Sequence, residues 1–166
     1  FFLFELYLFT NERRNTMKTI LFDMDNVLVD FQSGLDLITE DVLAEYEGRY
    51  DEIPGLFDNM LPLAGAIEAY KHLYNLYDVY ICSTAPWKNP SAWSAKNLWV
   101  DRYLGEHGHK RLILTHHKNL VYGDYLIDDR LKNGVDKFKG IHIHFGTSEF
   151  PDWDSVLEFF VKENAA

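Results

Sequence analysis

The sequence predicts an α/β fold built on a mostly parallel sheet, and two patterns lead to this prediction. Short apolar runs with the character of buried strands alternate with segments whose apolar residues recur at helical spacing. Such alternation is typical of a parallel sheet flanked by helices. In addition, carboxylate, hydroxyl and lysine side chains follow the runs, at the end of the sheet where α/β folds bind their ligands.

Five strands are predicted from the apolar runs. The first, 18–22, has the sequence KTILF and ends directly before Asp23. The last, 141–145, alternates apolar residues with His142 and His144. The other three are predicted over 79–82, 111–115 and 125–127.

Four helices are predicted between and after these strands. In the first, Leu35, Ile38 and Val42 recur at helical spacing, and Ser33 is a suitable N-terminal cap. Asp152 is a suitable cap for the last helix. The predicted ranges are 33–49, 65–77, 91–104 and 153–162.

Size and charge limit the classes of function. The chain has 166 residues, 47% of them hydrophobic, which is the size and composition of one globular domain. Its formal net charge of -10 is unfavourable for non-specific binding of nucleic acid, but local cations and a metal could still hold a small phosphorylated substrate. Cys82 is the single cysteine, so an internal disulfide cannot form and a cytoplasmic location is expected.

The N-terminal residues differ in composition from the rest of the chain. Residues 1–9 are an apolar run that is too short to span a bilayer and lacks the positive start of a signal peptide. We expect residues 1–16 to be an extension without a catalytic role, and no membrane partner. A short interfacial or dimer-forming segment is the alternative interpretation.

Asp23 and Asp25 form the first candidate site. Two carboxylates, two residues apart at the end of a strand, can divide the work of phosphoryl transfer. One can attack phosphorus while the other handles the proton of the leaving oxygen. The alternative is a pair of solvated aspartates in a turn.

Asp128 and Asp129 form the second candidate site. Two adjacent acids after the apolar residues 125–127 are unfavourable there unless a cation compensates them. Mg²⁺ prefers oxygen ligands, usually one or two carboxylates together with water and substrate phosphate. The alternative is a helix cap with an ion pair to Arg130.

Ser83, Thr84 and Lys118 are candidate phosphate ligands. Ser83 and Thr84 follow the second strand and offer hydroxyl and backbone N–H groups, whereas Lys118 offers a point charge. An ordinary turn and a surface lysine are the respective alternatives.

These four elements, in this order and each at a strand end, resemble the four motifs of the haloacid dehalogenase (HAD) phosphohydrolase superfamily. The resemblance implies a HAD-like Rossmannoid sheet with a small helical cap inserted after the first strand. It also implies that Asp23 forms an aspartyl-phosphate, and that Asp25 acts first as general acid and then as general base. Ser83 and Lys118 would hold the phosphoryl group.

The same resemblance implies Mg²⁺ as the cofactor. Its ligands would be Asp23, the backbone carbonyl of Asp25, and Asp128, while Asp129 would orient a water ligand of the ion. The cation is needed because a phosphomonoester carries close to two negative charges at neutral pH, which repel an anionic nucleophile.

In detail, the motifs are similar to those of the 5'(3')-deoxyribonucleotidase family, from Met17 to the final helix. One departure is Asn26, where the family usually has Gly. Asn tolerates positive φ better than other non-glycine residues, so we expect the turn to be kept. The stretches that carry the likeness are DMDNVLVDF at 23–31, ICSTAP at 81–86, LT at 114–115 with Lys118, and LIDDR at 126–130.

The likeness also implies a division into a core, 17–32 with 64–166, and a cap, 33–63. In the family, aromatic residues near the cap stack on the base of the substrate. Phe31 and Phe57 are the expected counterparts, with Trp87 at the mouth of the site, although Phe57 could instead pack in the cap. Two further tryptophans, Trp93 and Trp99, are expected to pack against the sheet.

The predicted function is Mg²⁺-dependent hydrolysis of (deoxy)ribonucleoside monophosphates. A HAD phosphatase for another small phosphoester, such as a sugar phosphate, is one alternative. A phospho-accepting or binding module is another, although receiver domains lack an acid at the position of Asp25. The sequence leaves the oligomeric state open, with a homodimer as the common case.

Overall fold

A computed structural model describes residues 17–165 of the chain. The predicted extension 1–16 lies outside the described residues. Five parallel strands form one sheet, so the predicted α/β fold and its five strands are confirmed. The strands are β1 (Thr19–Phe22), β4 (Asp78–Ser83), β5 (Leu112–Leu114), β6 (Tyr125–Asp128) and β7 (Ile141–His144). Their order in the sheet is β5-β4-β1-β6-β7.

The central position of β1 determines where the candidate site forms. Phe22 lies opposite Ile81 of β4 on one side and opposite Ile127 of β6 on the other. The amide of Asp23 continues the ladder and donates to the carbonyl of Ile127 at 2.9 Å. Because all three strands are parallel, the residues that follow them meet at one edge of the sheet.

The three long helices cover the face of the sheet that carries Phe22. Their bounds agree with the predicted helices to within a few residues. The ring of Phe22 lies 5.0 Å from that of Tyr70 and 5.8 Å from that of Trp153, which ties two of the helices to the central strand. The helices are α3 (Ala66–Tyr74), α4 (Pro90–Leu104) and α5 (Trp153–Ala165).

The opposite face of the sheet has a smaller apolar cluster. Leu21, Cys82 and Leu126 pack there against Val135. Short 3-10 turns, Lys118–Leu120 and Val135–Lys137, accompany this face in place of long helices. Within residues 17–165, no helix combines the length and the apolar composition needed to cross a bilayer.

The first predicted helix, 33–49, is wrong in its extent. Two short helices replace it, α1 (Phe31–Leu35) and α2 (Glu40–Glu45), because Thr39 takes an extended conformation and begins the second one. The cap of α1 is Asp30, whose carboxylate accepts from the amides of Gln32 and Ser33. Ser33 lies inside the helix and bonds back to the carbonyl of Asp30.

A two-residue antiparallel ribbon closes the segment that leaves and re-enters the core. β2 (Val29–Asp30) pairs with β3 (Leu61–Pro62), and the amide of Leu63 donates to the carbonyl of Leu28 at 2.9 Å. Residues 31–60 therefore begin and end at the same place. We call residues 31–60 the inserted segment.

Candidate active site

A tight turn after β1 presents the first two aspartates. The amides of Leu28 and Val29 both donate to the carbonyl of Met24, which folds the chain back directly after Asp25. Asn26 has φ 60° at the tip of this turn, so the expectation that Asn would keep the turn is confirmed. The turn directs both carboxylates to the carboxyl end of the sheet.

Three carboxylates converge at this end of the sheet. One oxygen each from Asp23, Asp128 and Asp129 lies within 4.8 Å of the other two. Asp23 and Asp128 are buried, at 5% and 2% exposed. A cluster made only of carboxylate oxygens suits a hard divalent cation such as Mg²⁺ and does not suit a soft metal, so the residues present fit the predicted cofactor.

Lys118 lies between two of these acids. Its Nζ is 2.8 Å from Oδ1 of Asp23 and also contacts Oδ2 of Asp128. The lysine is 3% exposed and sits on a 3-10 turn whose first amide donates to the carbonyl of Asn133. Although burial by itself lowers the pKa of Lys118, the charges of Asp23 and Asp128 raise it above its ordinary value, so the side chain is a permanent cation.

The environments of Asp23 and Asp25 push their pKa values in opposite directions. Burial would raise the pKa of Asp23, but Lys118 and Lys96 outweigh it and hold that pKa below its usual value. Burial, helped by the charge of Asp23, raises the pKa of Asp25 although Lys96 opposes the shift. A pair of acids separated in this way can supply one permanent anion and one proton carrier.

The pKa values of the two acids at the end of β6, Asp128 and Asp129, are also shifted. Burial and the charge of Asp23 raise the pKa of Asp128 to about 6, against the opposing effect of Lys118. Burial likewise raises the pKa of Asp129, where Arg130 opposes the shift. Accumulated negative charge at this point would be relieved by a bound cation.

Ser83 and Thr84, at the end of β4, differ in their access to the cleft. Thr84 lines the cleft above the acids, and its hydroxyl donates to the carbonyl of Thr115 at 2.9 Å. Ser83 is fully buried beneath it, and its Oγ accepts from Lys96 at 3.2 Å. The structure thus places Thr84 at the surface of the cleft and buries Ser83 next to it, outside the lining of the cleft.

Lys96 was missed by sequence reasoning. It is 2% exposed, and its Nζ lies 2.8 Å from each carboxylate oxygen of Asp25. The signal that could have found it is helical spacing: Ala92 and Trp99 of α4 are buried, so position 96 must also face inwards. A lysine on a buried helix face requires an acid as partner.

A cleft of about 500 Å³ opens above these groups. Its lining includes Asp23, Asp25, Asp128 and Lys118, together with residues of the inserted segment: Phe31, Gly48, Tyr50 and Asp51. The lining also includes Arg130, Lys132 and Asn133, which follow β6. Phe31 and Thr84 were predicted as site residues, whereas Gly48, Tyr50, Asp51, Lys132 and Asn133 were not, since loop residues without a regular period give no local signal.

The three predicted aromatic contacts of the substrate lie in different settings. Phe31 lines the cleft. Phe57 is 4% exposed and packs its ring 5.9 Å from that of Phe31 and 4.9 Å from Nζ of Lys96, which fits the packing alternative. Trp87 is 79% exposed and meets His116 outside the lining of the cleft.

The predicted core packing is confirmed for Trp99 and wrong for Trp93. Trp99 is buried and donates to the carbonyl of Met60 in the inserted segment. Trp93 is only partly buried and lies beside His116, with its Nε1 donating to the carbonyl of Pro86. The reason is the helical phase, since Trp93 is one residue past buried Ala92 and turns towards the loop after β4.

Sequence comparison relates the chain to 5'-nucleotidases. Residues 43–151 match the family described as 5' nucleotidase, deoxy (pyrimidine), cytosolic type C. A protein of Vibrio phage KVP40, provisionally named 5'(3')-deoxyribonucleotidase, is 58% identical over 91% of this chain and 89% of its own length. The human cytosolic-type 5'(3')-deoxyribonucleotidase is 30% identical over 83% of this chain and 78% of its own length.

Solved structures support the fold at much lower identity. A haloacid dehalogenase-like hydrolase from Xanthomonas campestris superposes with a TM-score of 0.56 at 13% identity, covering 90% of this chain and 97% of the other. A HAD hydrolase from Bacillus subtilis, whose structure holds magnesium, has a TM-score of 0.52 at 16% identity, with 82% and 90% covered. These similarities establish the HAD-like α/β architecture.

Proposed function

Because this chain belongs to the 5'(3')-deoxyribonucleotidase family of phosphomonoester hydrolases, we propose that it hydrolyses (deoxy)ribonucleoside monophosphates to nucleoside and phosphate. The observation that carries the proposal is the meeting of Asp23, Asp128 and Lys118 at the foot of one cleft. A cytoplasmic location is part of the proposal and is supported by the name of the human cytosolic-type relative.

The first half of the proposed reaction transfers the phosphoryl group to Asp23. An oxygen of the Asp23 carboxylate forms a bond to phosphorus while the phosphorus–oxygen bond of the ester breaks. Asp25, protonated at this stage, gives its proton to the departing nucleoside oxygen. The raised pKa of Asp25 and the lowered pKa of Asp23 support this division of roles.

The second half returns the enzyme to its starting state. Asp25, now a carboxylate, takes a proton from water as the water oxygen bonds to phosphorus. The bond between phosphorus and Asp23 breaks, which releases phosphate and restores the Asp23 carboxylate. Lys118 keeps its charge throughout and stabilises the phosphoryl oxygens.

Mg²⁺ would be held by Asp23, Asp128 and the backbone carbonyl of Asp25, with Asp129 beside it. The close approach of the three carboxylates supports this assignment. When bound, the ion would supply positive charge that offsets the phosphate dianion and the carboxylates around it. Thr84 on the cleft wall and Ser83 below it are the proposed hydroxyl contacts of the phosphoryl group.

The inserted segment is proposed to act as a small cap that recognises the nucleoside part of the substrate. It contributes Phe31, Tyr50 and Asp51 to the lining of the cleft, which also includes Arg130 and Lys132. An aromatic ring in this position can stack on a base, and a closed wall excludes water from the phosphoryl group.

A panel of monophosphates tests the proposed function. Phosphate release would be measured with Mg²⁺ on ribo- and deoxyribonucleoside 5'- and 3'-monophosphates and on sugar phosphates. We expect kcat/KM for at least one nucleotide to exceed that for every sugar phosphate by about tenfold or more. Equal rates would favour a general sugar-phosphate phosphatase, and stable phosphorylation of Asp23 without turnover would favour a binding module.

Removal of the Phe31 ring tests the stacking assignment. Phe31→Ala is expected to raise KM for the preferred nucleotide by about 5- to 150-fold, since stacking of a base is worth about 1–3 kcal/mol. KM for p-nitrophenyl phosphate should change much less. Tyr74→Ala, which removes a partly buried ring of α3 away from the cleft, is the control for general destabilisation. Equal changes in KM for both substrates would contradict base stacking.

A further inference from the structure

The geometry points to Lys96 as a positioning residue that fixes the directions of the Asp25 carboxylate and the Ser83 hydroxyl. This inference rests on the proposed function. Lys96 comes from α4, outside the strand ends that supply the other charged groups of the floor. It reaches the turn after β1 and the end of β4 with one side chain.

The ammonium group of Lys96 uses all of its hydrogen-bonding capacity on these two residues. An ammonium has three N–H donors and no acceptor. Oδ1 and Oδ2 of Asp25 each lie 2.8 Å from Nζ, and Oγ of Ser83 lies 3.2 Å from it. The Nζ also stands 4.9 Å from the centre of the Phe57 ring, which closes this side of the group. A fully used, buried ammonium holds its partners in one arrangement.

The hydrogen bond from Lys96 determines the direction of the Ser83 hydroxyl hydrogen. Because Lys96 can only donate, Oγ of Ser83 must accept, and the hydroxyl hydrogen of Ser83 is left to point elsewhere. Thr84, the next residue, lines the cleft above it. Lys96 therefore prepares Ser83 as a donor towards a phosphoryl oxygen rather than as an acceptor that would repel it.

The position of Lys96 is itself fixed by hydrogen bonds made before and after it along the chain. Trp99, less than one turn further along α4, donates to the carbonyl of Met60. Asn89, just before α4, donates to the carbonyls of Asp51 and Ile53. These bonds join α4 to the inserted segment, so the lysine, the proton carrier and the cleft wall form one connected unit.

A comparison of leaving groups tests this inference. A nucleoside oxygen needs a proton as it departs, whereas p-nitrophenolate is stable without one, so Asp25 matters much more for a nucleotide than for p-nitrophenyl phosphate. Lys96→Met is expected to lower kcat for the nucleotide by about 10²-fold, the effect of misplacing a catalytic group by about 1 Å. The loss with p-nitrophenyl phosphate should be about tenfold or less.

Two further variants control for folding. Lys96→Gln keeps an N–H donor group without the charge, and its kcat for the nucleotide should fall between those of wild type and Lys96→Met. Arg111→Met breaks a similarly buried ion pair, to Asp78 at 2.8 Å, at the other end of the sheet. It should lower the melting temperature without changing the ratio of the two kcat values. Loss of activity in proportion to melting temperature across all three variants would overturn the inference.

The Asp25→Asn background shows whether Lys96 acts through Asp25. In that background, Lys96→Met should leave the ratio of nucleotide to p-nitrophenyl phosphate turnover unchanged, because the group it positions is absent. An undiminished effect on the ratio would overturn the inference. If the wild-type protein hydrolyses neither substrate, the proposed function itself is overturned. If the wild type is active but Lys96→Met leaves the ratio of nucleotide to p-nitrophenyl phosphate turnover unchanged, only the role of Lys96 is overturned.

Discussion

Asp23→Asn is expected to abolish turnover of every phosphomonoester while leaving the protein folded. An amide oxygen is a poor nucleophile, and the substitution also removes one carboxylate from the proposed Mg²⁺ ligands. Lys118 would keep its contact with Asp128, so the buried cation is not left without a partner. The measurement is phosphate release, together with thermal unfolding followed by circular dichroism.

The matched control for this substitution is Asp78→Asn. Asp78 also pairs with a buried cation, Arg111, but it starts β4 and lies at the opposite end of the sheet from the cleft. It should retain turnover even if it unfolds at a lower temperature. Appreciable activity in Asp23→Asn would contradict the nucleophile assignment, since no neighbouring carboxylate shares both its position and its lowered pKa.

Removal of divalent cations by EDTA is expected to inactivate the enzyme reversibly. Without a bound cation, a phosphate dianion would enter a site where Lys118 is already paired with two carboxylates. Coulomb repulsion between substrate and carboxylates would then oppose binding and attack. Addition of Mg²⁺ after removal of EDTA should restore the original rate, and full activity in EDTA would contradict the metal assignment.

Binding of Mg²⁺ should also appear without any measurement of activity. A ligand that binds only the folded state stabilises it by about 2.7 kcal/mol at 100 times Kd, roughly 5–10 °C in Tm for a chain of this size. Asp128→Asn should lose most of this shift, whereas Asp78→Asn should keep it. An equal shift in Asp128→Asn and wild type would contradict the proposed ligand set.

The strands and the long helices could be predicted from the sequence because each buries a regular pattern. β1, β6 and the others are short apolar runs, and α3 to α5 carry apolar residues at helical spacing. The inserted segment was less predictable. Its apolar residues continue the helical period through 33–49, but the extended Thr39 divides the helix and the β2–β3 ribbon is too short to leave a pattern.

The candidate site was predictable to the extent that it lies at strand ends. Asp23, Asp128 and Lys118 were named from the order of the motifs, and the parallel sheet explains why they meet. Lys96 was not named, because its partner lies 71 positions away and a lone lysine in a helix is usually solvated. The expectation for Trp93 was wrong because one residue of helical phase separates the core from the loop.

The ribbon formed by β2 and β3 bears on how such an enzyme could change its substrate over evolution. Since the two ends of the inserted segment are held together by the β2–β3 pairing and by the Leu63–Leu28 bond, the part of the segment that makes no bond to α4 can lengthen, shorten or be exchanged without shifting β1 or α3. Preference for one nucleoside over another can thus diverge among descendants while the machinery that breaks the ester bond is inherited unchanged.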